Sequence, residues 1–174
     1  MSSKIAAKIN KRIVKEHKSF AKNKKKCVEK GDNTLTNIWI EMINNNPRYS
    51  KIVMKGPIGT PYENGFYVFN VFMTKDYPLK APLVKLMNKI YHPNIDSQGN
   101  ICLNILKDDD SDGWQSAITL EKLAISLCQL LAGPNLDDPL DVNVTNHFKT
   151  NPKEATIKAT EWAKLYASDN PVDD

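Results

Sequence analysis

A histidine, a carboxamide and a thiol fall within residues 91–106, which read Tyr-His-Pro-Asn-Ile-Asp-Ser-Gln-Gly-Asn-Ile-Cys-Leu-Asn-Ile-Leu. Pro93 removes a backbone donor and fixes its own φ, so no helix is expected to run through Asn94. Gly99 and Asn100 supply turn chemistry just ahead of Cys102. A thiol in extended chain beside a side-chain amide is able to form a thioester, with the amide hydrogen-bonding the oxyanion during acyl transfer. The competing reading of Cys102 is a packing residue, because free cysteine behaves as a small hydrophobe. A hydrolytic nucleophile fits less well. Such a thiol usually lies at a helix N-terminus or beside a histidine that lowers its pKa from about 8.5. Here Ile101 and Leu103 flank Cys102 with apolar side chains, and a proline turn separates it from His92.

The segment needs a scaffold, and composition bounds what that is. A chain of 174 residues, 41% hydrophobic and 25% charged, suits one domain with a substantial core. We expect a single domain over 1–174, with its core at about 8–167, a short N-terminal extension and an acidic C-terminal tail. No stretch approaches the ~20 apolar residues that span a bilayer, and the N-terminus lacks the apolar run of a secretory signal. The cysteines, Cys27, Cys102 and Cys128, are scattered and form no Cys-x-x-Cys pair. Free thiols in a cytoplasmic or nuclear setting are therefore expected, with no metal site, no bound cofactor and no membrane partner. The net charge of +4 conceals an asymmetry, because residues 1–26 hold ten Lys or Arg against the single acid Glu16. Such an arm steers acidic partners. Phe20 is the one Phe, Tyr or Trp among these lysines, too few to interleave them, so nucleic acid is not expected as a partner.

The elements follow in order. Ile5, Ile9, Ile13, His17 and Phe20 form one helical stripe, with Ser2 or Ser3 as cap, and lysines cover the other faces. The lysines at 22–26 are expected to end this helix, and Gly31, Asp32 and Asn33 form a turn. Strands are predicted at 34–43, 49–54, 66–74 and 83–87, joined by short Gly/Pro-rich loops, which implies an antiparallel meander. After the cysteine segment, Thr119 caps a helix that buries Leu120, Leu123, Ala124, Leu127, Cys128 and Leu131 and stops at Gly133 and Pro134. Asp138 with Pro139 reads as the N-cap and first position of another helix. Asn151 with Pro152 opens a last one, turning Ala155, Ala159, Trp162 and Tyr166 inward. The expected fold class is α+β: an N-terminal helix, a four-stranded antiparallel meander, an active-site loop, then three C-terminal helices.

The His-Pro-Asn tripeptide at 92–94, eight residues ahead of Cys102, resembles the active-site signature of the ubiquitin-conjugating enzymes. Gly56 and Pro57 with Pro61, Tyr62 and Gly65, and Tyr77 and Pro78 with Pro82, resemble further landmarks of that family. The similarity runs from about residue 12 to 167. It implies that Cys102 accepts ubiquitin as a thioester from an activating enzyme and passes it to lysine amines, usually with a ligase of RING type. The segments around Ile95 and at 102–106 also resemble carriers of a Nedd-type modifier, whereas 161–167 looks more like the ubiquitin carriers. A non-catalytic binding module of the same fold is the reading from another class, and such modules lack the cysteine.

The resemblance also implies roles for single residues. Asn94 serves the oxyanion or orders the loop, His92 and Pro93 hold the segment, and Tyr91 shapes the acceptor pocket or packs. Asp138 matches the acidic position beside the cysteine. Lys11, Arg12 and Lys15 are expected to face the activating enzyme, and Pro61, Leu86, Trp114, Ser116 and Ala117 a ligase. Leu86 stands where phenylalanine is common and Ser116 where proline is. About four extra residues separate Leu106 from Trp114. They create an acidic loop with Asp108, Asp109, Asp110 and Asp112, whose repelling carboxylates resist packing.

Overall fold

A computed structural model describes residues 3–108 and 113–169. The expected acidic tail beyond Asp169 and the loop aspartates Asp109, Asp110 and Asp112 lie outside the described residues. Helix α1 spans Ser3–Glu29. It buries Ile9, Ile13, Glu16 and Phe20, while Lys11 and Lys15 stay exposed. It does not stop at the lysine run, because lysine is a good helix former and nothing there breaks the ladder. The end comes at Gly31, whose φ of +69° lets Asp32 N–H reach back to the Cys27 carbonyl and Gly31 N–H to that of Val28.

Four strands form one antiparallel sheet in chain order: β1 Ile38–Met42, β2 Tyr49–Lys55, β3 Phe66–Phe72 and β4 Leu83–Leu86. The first strand is shorter than predicted, since Asp32 Oδ1 accepts from both Thr34 N and Thr34 Oγ1 and folds 34–37 into turns. Register places Phe69 opposite both Ile52 and Leu86, and all three are buried. Along β4 the side chains alternate, with Val84 and Leu86 inward and Leu83 and Lys85 outward.

Helix α2, Leu120–Ala132, is capped by Thr119, whose side chain accepts from Lys122 N. Its buried face is Leu120, Leu123, Ala124, Leu127, Leu130 and Leu131. Cys128 is only half-buried at its edge, and Leu130 takes the inward place. Helix α3 runs Val142–Thr150 and α4 runs Pro152–Tyr166. Ala163 faces the core, whereas Tyr166 lies outside it at 39% exposed, its ring edge-on to Trp162. After α4 the chain pairs Ser168 with Phe66, so the C-terminal segment returns to the start of β3.

A buried carboxylate ties the helices together. Glu16 accepts from Arg12 Nε at 2.7 Å, from the Tyr77 hydroxyl and from Leu120 N at 3.0 Å. Arg12 donates onward to the carbonyls of Ser116 at 2.6 Å and Ile118 at 3.3 Å. A buried charge persists where its lone pairs are taken up like this, and here it joins α1 to the start of α2.

Candidate active site

The segment carrying Cys102 is a small knot rather than a helix or strand. Asp96 folds it: Oδ1 accepts from Gln98 N and Asn100 N, and Oδ2 from Asn100 Nδ2 at 2.7 Å. Gly99, at φ +77°, presses against β4, with Leu86 N donating to its carbonyl at 2.9 Å. A Cβ at Gly99 would stand 2.0 Å from Leu86 O, so only glycine fits. Bridges between His92 and Ile95 and between Ile95 and Ile101 bring the two arms together, and Cys102 N donates to Asn94 O at 2.9 Å.

His92 is fully buried between this knot and the end of α2. Its Nε2 lies 3.0 Å from Leu130 O, and its Nδ1 faces Asn94 N at 3.0 Å. A carbonyl only accepts and an amide N–H only donates, so the ring is the neutral Nε2–H tautomer. Burial pushes its pKa down to about 4, against the smaller upward pull of the Leu130 carbonyl. The ring holds the segment and has no proton to lend at neutral pH. Pro93 contributes its carbonyl, which accepts from both Leu140 N and Asp141 N at 2.9 Å.

Asn94 is also fully buried, and its carboxamide is occupied throughout. Nδ2 donates to the carbonyls of Asn135 at 2.7 Å and Asp138 at 2.9 Å, while Oδ1 accepts from Asn135 N at 2.9 Å. Both amide hydrogens are therefore spent on the 135–138 loop. This geometry orders a loop and leaves no donor for an oxyanion unless a bond is exchanged. Tyr91, 8% exposed, packs its ring near His147, Phe148 and Trp162, and its hydroxyl lies 2.8 Å from His147 Nδ1.

The loop that Asn94 holds delivers Asp138 to the thiol. Cys102 Sγ donates to Asp138 Oδ2 at 3.3 Å, and the same oxygen accepts from Lys107 Nζ. Asp138 does not cap a helix. The cap of α3 is Asp141, whose Oδ1 accepts from Val144 N at 3.0 Å. The carbonyl of Pro93 holds the amides of Leu140 and Asp141, and Asp141 is extended, so the helix begins later than the Asp-Pro pair suggests. The hydrogen bonds from Lys107 and Cys102 hold the Asp138 carboxyl below the usual carboxylate range. Burial first, then Asp138, push the Cys102 thiol up, with Lys107 opposing. At neutral pH the sulfur is thus a protonated, half-buried thiol beside an ionised carboxylate. Sequence reasoning missed Lys107, whose only signal is its place five residues beyond Cys102.

The expected partner residues divide. Lys11, Lys15, Ser116 and Ala117 are exposed. Arg12 is not free to greet a partner, being spent on Glu16 and two carbonyls. Leu86 is 3% exposed, because the alternation of β4 turns it into the core, and it is no surface residue. Leu79, in the turn ahead of β4, is exposed at 81%, as is Leu83 on β4 at 62%. Trp114, 8% exposed, packs beside Tyr77 and donates its Nε1 to Pro78 O at 2.7 Å, so it supports the surface from beneath. Pro61 belongs to the β2–β3 connection, where the Tyr62 hydroxyl donates to Tyr91 O at 2.8 Å. Of the acidic loop, Asp108 pairs with Lys80 at 3.7 Å.

A thiol presented on a closed knot, protonated beside an ionised carboxylate and apart from the buried ring of His92, is suited to carrying an acyl group. Residues 12–163 match the ubiquitin-conjugating enzyme family. The chain is 36% identical over 165 residues to ubiquitin-conjugating enzyme E2 13 of Saccharomyces cerevisiae, covering 95% of this chain and 99% of that one. It is 42% identical over 125 residues to ubiquitin-conjugating enzyme E2 N of Macaca fascicularis, covering 72% and 80%. A solved ubiquitin-conjugating E2 domain of Toxoplasma gondii superposes with a TM-score of 0.75 at 29% identity, over 90% of this chain and 98% of that one. The chain belongs to the ubiquitin-conjugating enzymes, which transfer acyl groups through a cysteine thioester. Among the described residues no cluster fit to hold a metal occurs, and no helix is long and apolar enough to cross a membrane.

Proposed function

We propose that this chain carries ubiquitin as a thioester on Cys102 and passes it to lysine amines, with Asp138 on the acceptor side and Asn94 holding the loop that presents Asp138. The observation that carries the reading is the bond from Cys102 Sγ to Asp138 Oδ2 at the end of a loop fastened by the Asn94 amide. Ubiquitin is preferred to a Nedd-type modifier because the relatives at 36–42% identity are named for ubiquitin. Charging moves the modifier's C-terminal acyl group from the activating enzyme to the Cys102 sulfur: the new C–S bond forms, the acyl bond to the activating enzyme breaks, and the thiol proton passes to the group released there. In discharge the amine nitrogen attacks the thioester carbonyl, the C–N bond forms and the C–S bond breaks. The proton lost by the amine ends on the Cys102 sulfur. A lysine of pKa ~10.4 arrives protonated and gives one proton to solvent before it attacks as the neutral amine. Asp138, held low in pKa, is a poor store for that proton, so its contribution is to attract and orient the amine and to steady the charge that develops on nitrogen.

The partner surface is proposed to run from Lys11 and Lys15 across Ser116 and Ala117 to Leu79, meeting the activating enzyme and RING-type ligases. Its parts are joined from below, Arg12 to Ser116 and Trp114 to Pro78. A cytoplasmic or nuclear site is proposed with it, since unpaired Cys27, Cys102 and Cys128 persist in reducing compartments.

The test is a charging gel followed by a lysine chase. Cys102→Ala should form no thioester, and Cys102→Ser should hold ubiquitin as an ester that resists reducing agent. Asp138→Asn should charge normally yet discharge slowly to lysine. Reducible charging of Cys102→Ala would refute the assignment of the thiol, and full-speed discharge by Asp138→Asn that of the carboxylate.

A further inference from the structure

Lys107 places an ammonium on the very oxygen that the acceptor reading requires. Its backbone is clamped on both sides. Lys107 N donates to Asn104 O at 2.9 Å, and its carbonyl accepts from Trp114 N at 2.8 Å. Lys107 and Trp114 are thereby joined directly. Lys107 Nζ bonds Asp138 Oδ2, which also accepts from Cys102 Sγ at 3.3 Å. An ammonium and a sulfur sharing one carboxylate oxygen are two hydrogen bonds apart, about 6 Å at most. An attacking lysine amine has to enter this same small volume, and it brings the same functional group.

We propose that Lys107 occupies the acceptor's place on the Asp138 carboxylate, so that every incoming lysine must displace an internal competitor before it attacks. The proposal rests on the reading of Asp138 as the acceptor-side carboxylate. Charging removes the thiol hydrogen but leaves the Lys107–Asp138 pair standing, and the competition persists in the loaded enzyme. The device tunes selectivity. A cationic acceptor that brings further contacts wins the exchange, whereas free lysine in solution wins it less often. The pair is about half-exposed on both sides. Ion pairs of that kind shift equilibria by roughly two- to five-fold, so the competition is reversible and not a block.

The experiment uses full-length enzyme precharged with ubiquitin and a single-round chase at pH near 7.5, over a range of lysine concentrations. A parallel chase uses hydroxylamine, a nucleophile uncharged near neutral pH. Lys107→Met should lower the apparent KM for lysine about two- to five-fold and raise the ratio of lysine to hydroxylamine discharge, and Lys107→Arg should keep the wild-type KM. In an Asp138→Asn background the Lys107→Met change should have no further effect, because the shared oxygen is gone. An unchanged or raised KM in Lys107→Met, or an equal fall in both chases, would overturn the competition. If Asp138→Asn alone leaves the lysine chase untouched, the acceptor reading itself fails, which the first result does not imply.

Discussion

His92 makes the stability of this protein depend on pH between about 6.5 and about 4, in the same direction as His17, whose pKa burial also lowers. The folded ring is neutral, with a pKa of about 4, whereas in the unfolded chain it titrates near 6.5. Below about 6.5 the unfolded state takes up a proton that the folded state refuses, so stability falls as pH drops from about 6.5 to about 4 and changes no further through this group below that. At about 1.4 kcal/mol per pKa unit, the gap is worth about 3 kcal/mol. The geometry agrees in sign, since a proton on Nδ1 would set two donors, His92 and Asn94 N, face to face. The carboxylates held low, Asp32, Asp96 and Asp138, lose their contribution only at more acid pH. Urea unfolding followed by tryptophan fluorescence at several pH values between 7.5 and 4 would measure the slope. His92→Gln should be less stable at neutral pH by about 1–3 kcal/mol for each partner left unpaired, yet lose about 3 kcal/mol less than wild type on going to pH 4. Parallel curves for the two proteins across this window would refute the assignment of the neutral buried ring.

Gly99→Ala should lower Tm by at least about 5 °C, because a left-handed residue gains a Cβ that collides with the Leu86 carbonyl; calorimetry would show it. Asn94→Ala should slow discharge to lysine by way of Asp138, so its effect and that of Asp138→Ala should add to less than their sum when chase rates of the double variant are compared. Lys11→Glu with Lys15→Glu, sparing Arg12, should slow charging at low salt and flatten its salt dependence, read from initial rates at several ionic strengths. Arg12→Glu should instead destabilise the fold, since it puts a second acid against buried Glu16.

The meander was legible because the strands obey a period of two that water enforces: Tyr67, Phe69 and Val71 alternate inward along β3. The same rule, applied to β4, points Leu86 inward with Val84. A surface role for Leu86 therefore conflicted with the pattern of its own strand. Leu79, between Pro78 and Lys80, has no such pattern, and its exposure follows from the turn. The end of α1 was placed too early for a related reason. A run of lysines marks a solvated face, and only Gly31, able to take positive φ, stops the helix.

The site was legible in its parts but not in its wiring. The identity and spacing of His92, Asn94 and Cys102 point to a thiol beside an amide, yet the amide's partners lie more than forty residues on, at Asn135 and Asp138. Local signals at Asp138 and Pro139 are those of a helix cap, and a cap would have turned the carboxylate to backbone N–H groups. Long-range bonds win instead. Pro93 seizes the amides of Leu140 and Asp141, Asn94 seizes the carbonyls of Asn135 and Asp138, and the carboxylate is left to the thiol and Lys107. The cap duty passes to Asp141, three residues later, whose Oδ1 accepts from Val144 N. The acidic residue beside the cysteine is therefore a consequence of how the knot fastens the loop. A change at Asn94 or Pro93 should be felt at Asp138 before it is felt at the sulfur.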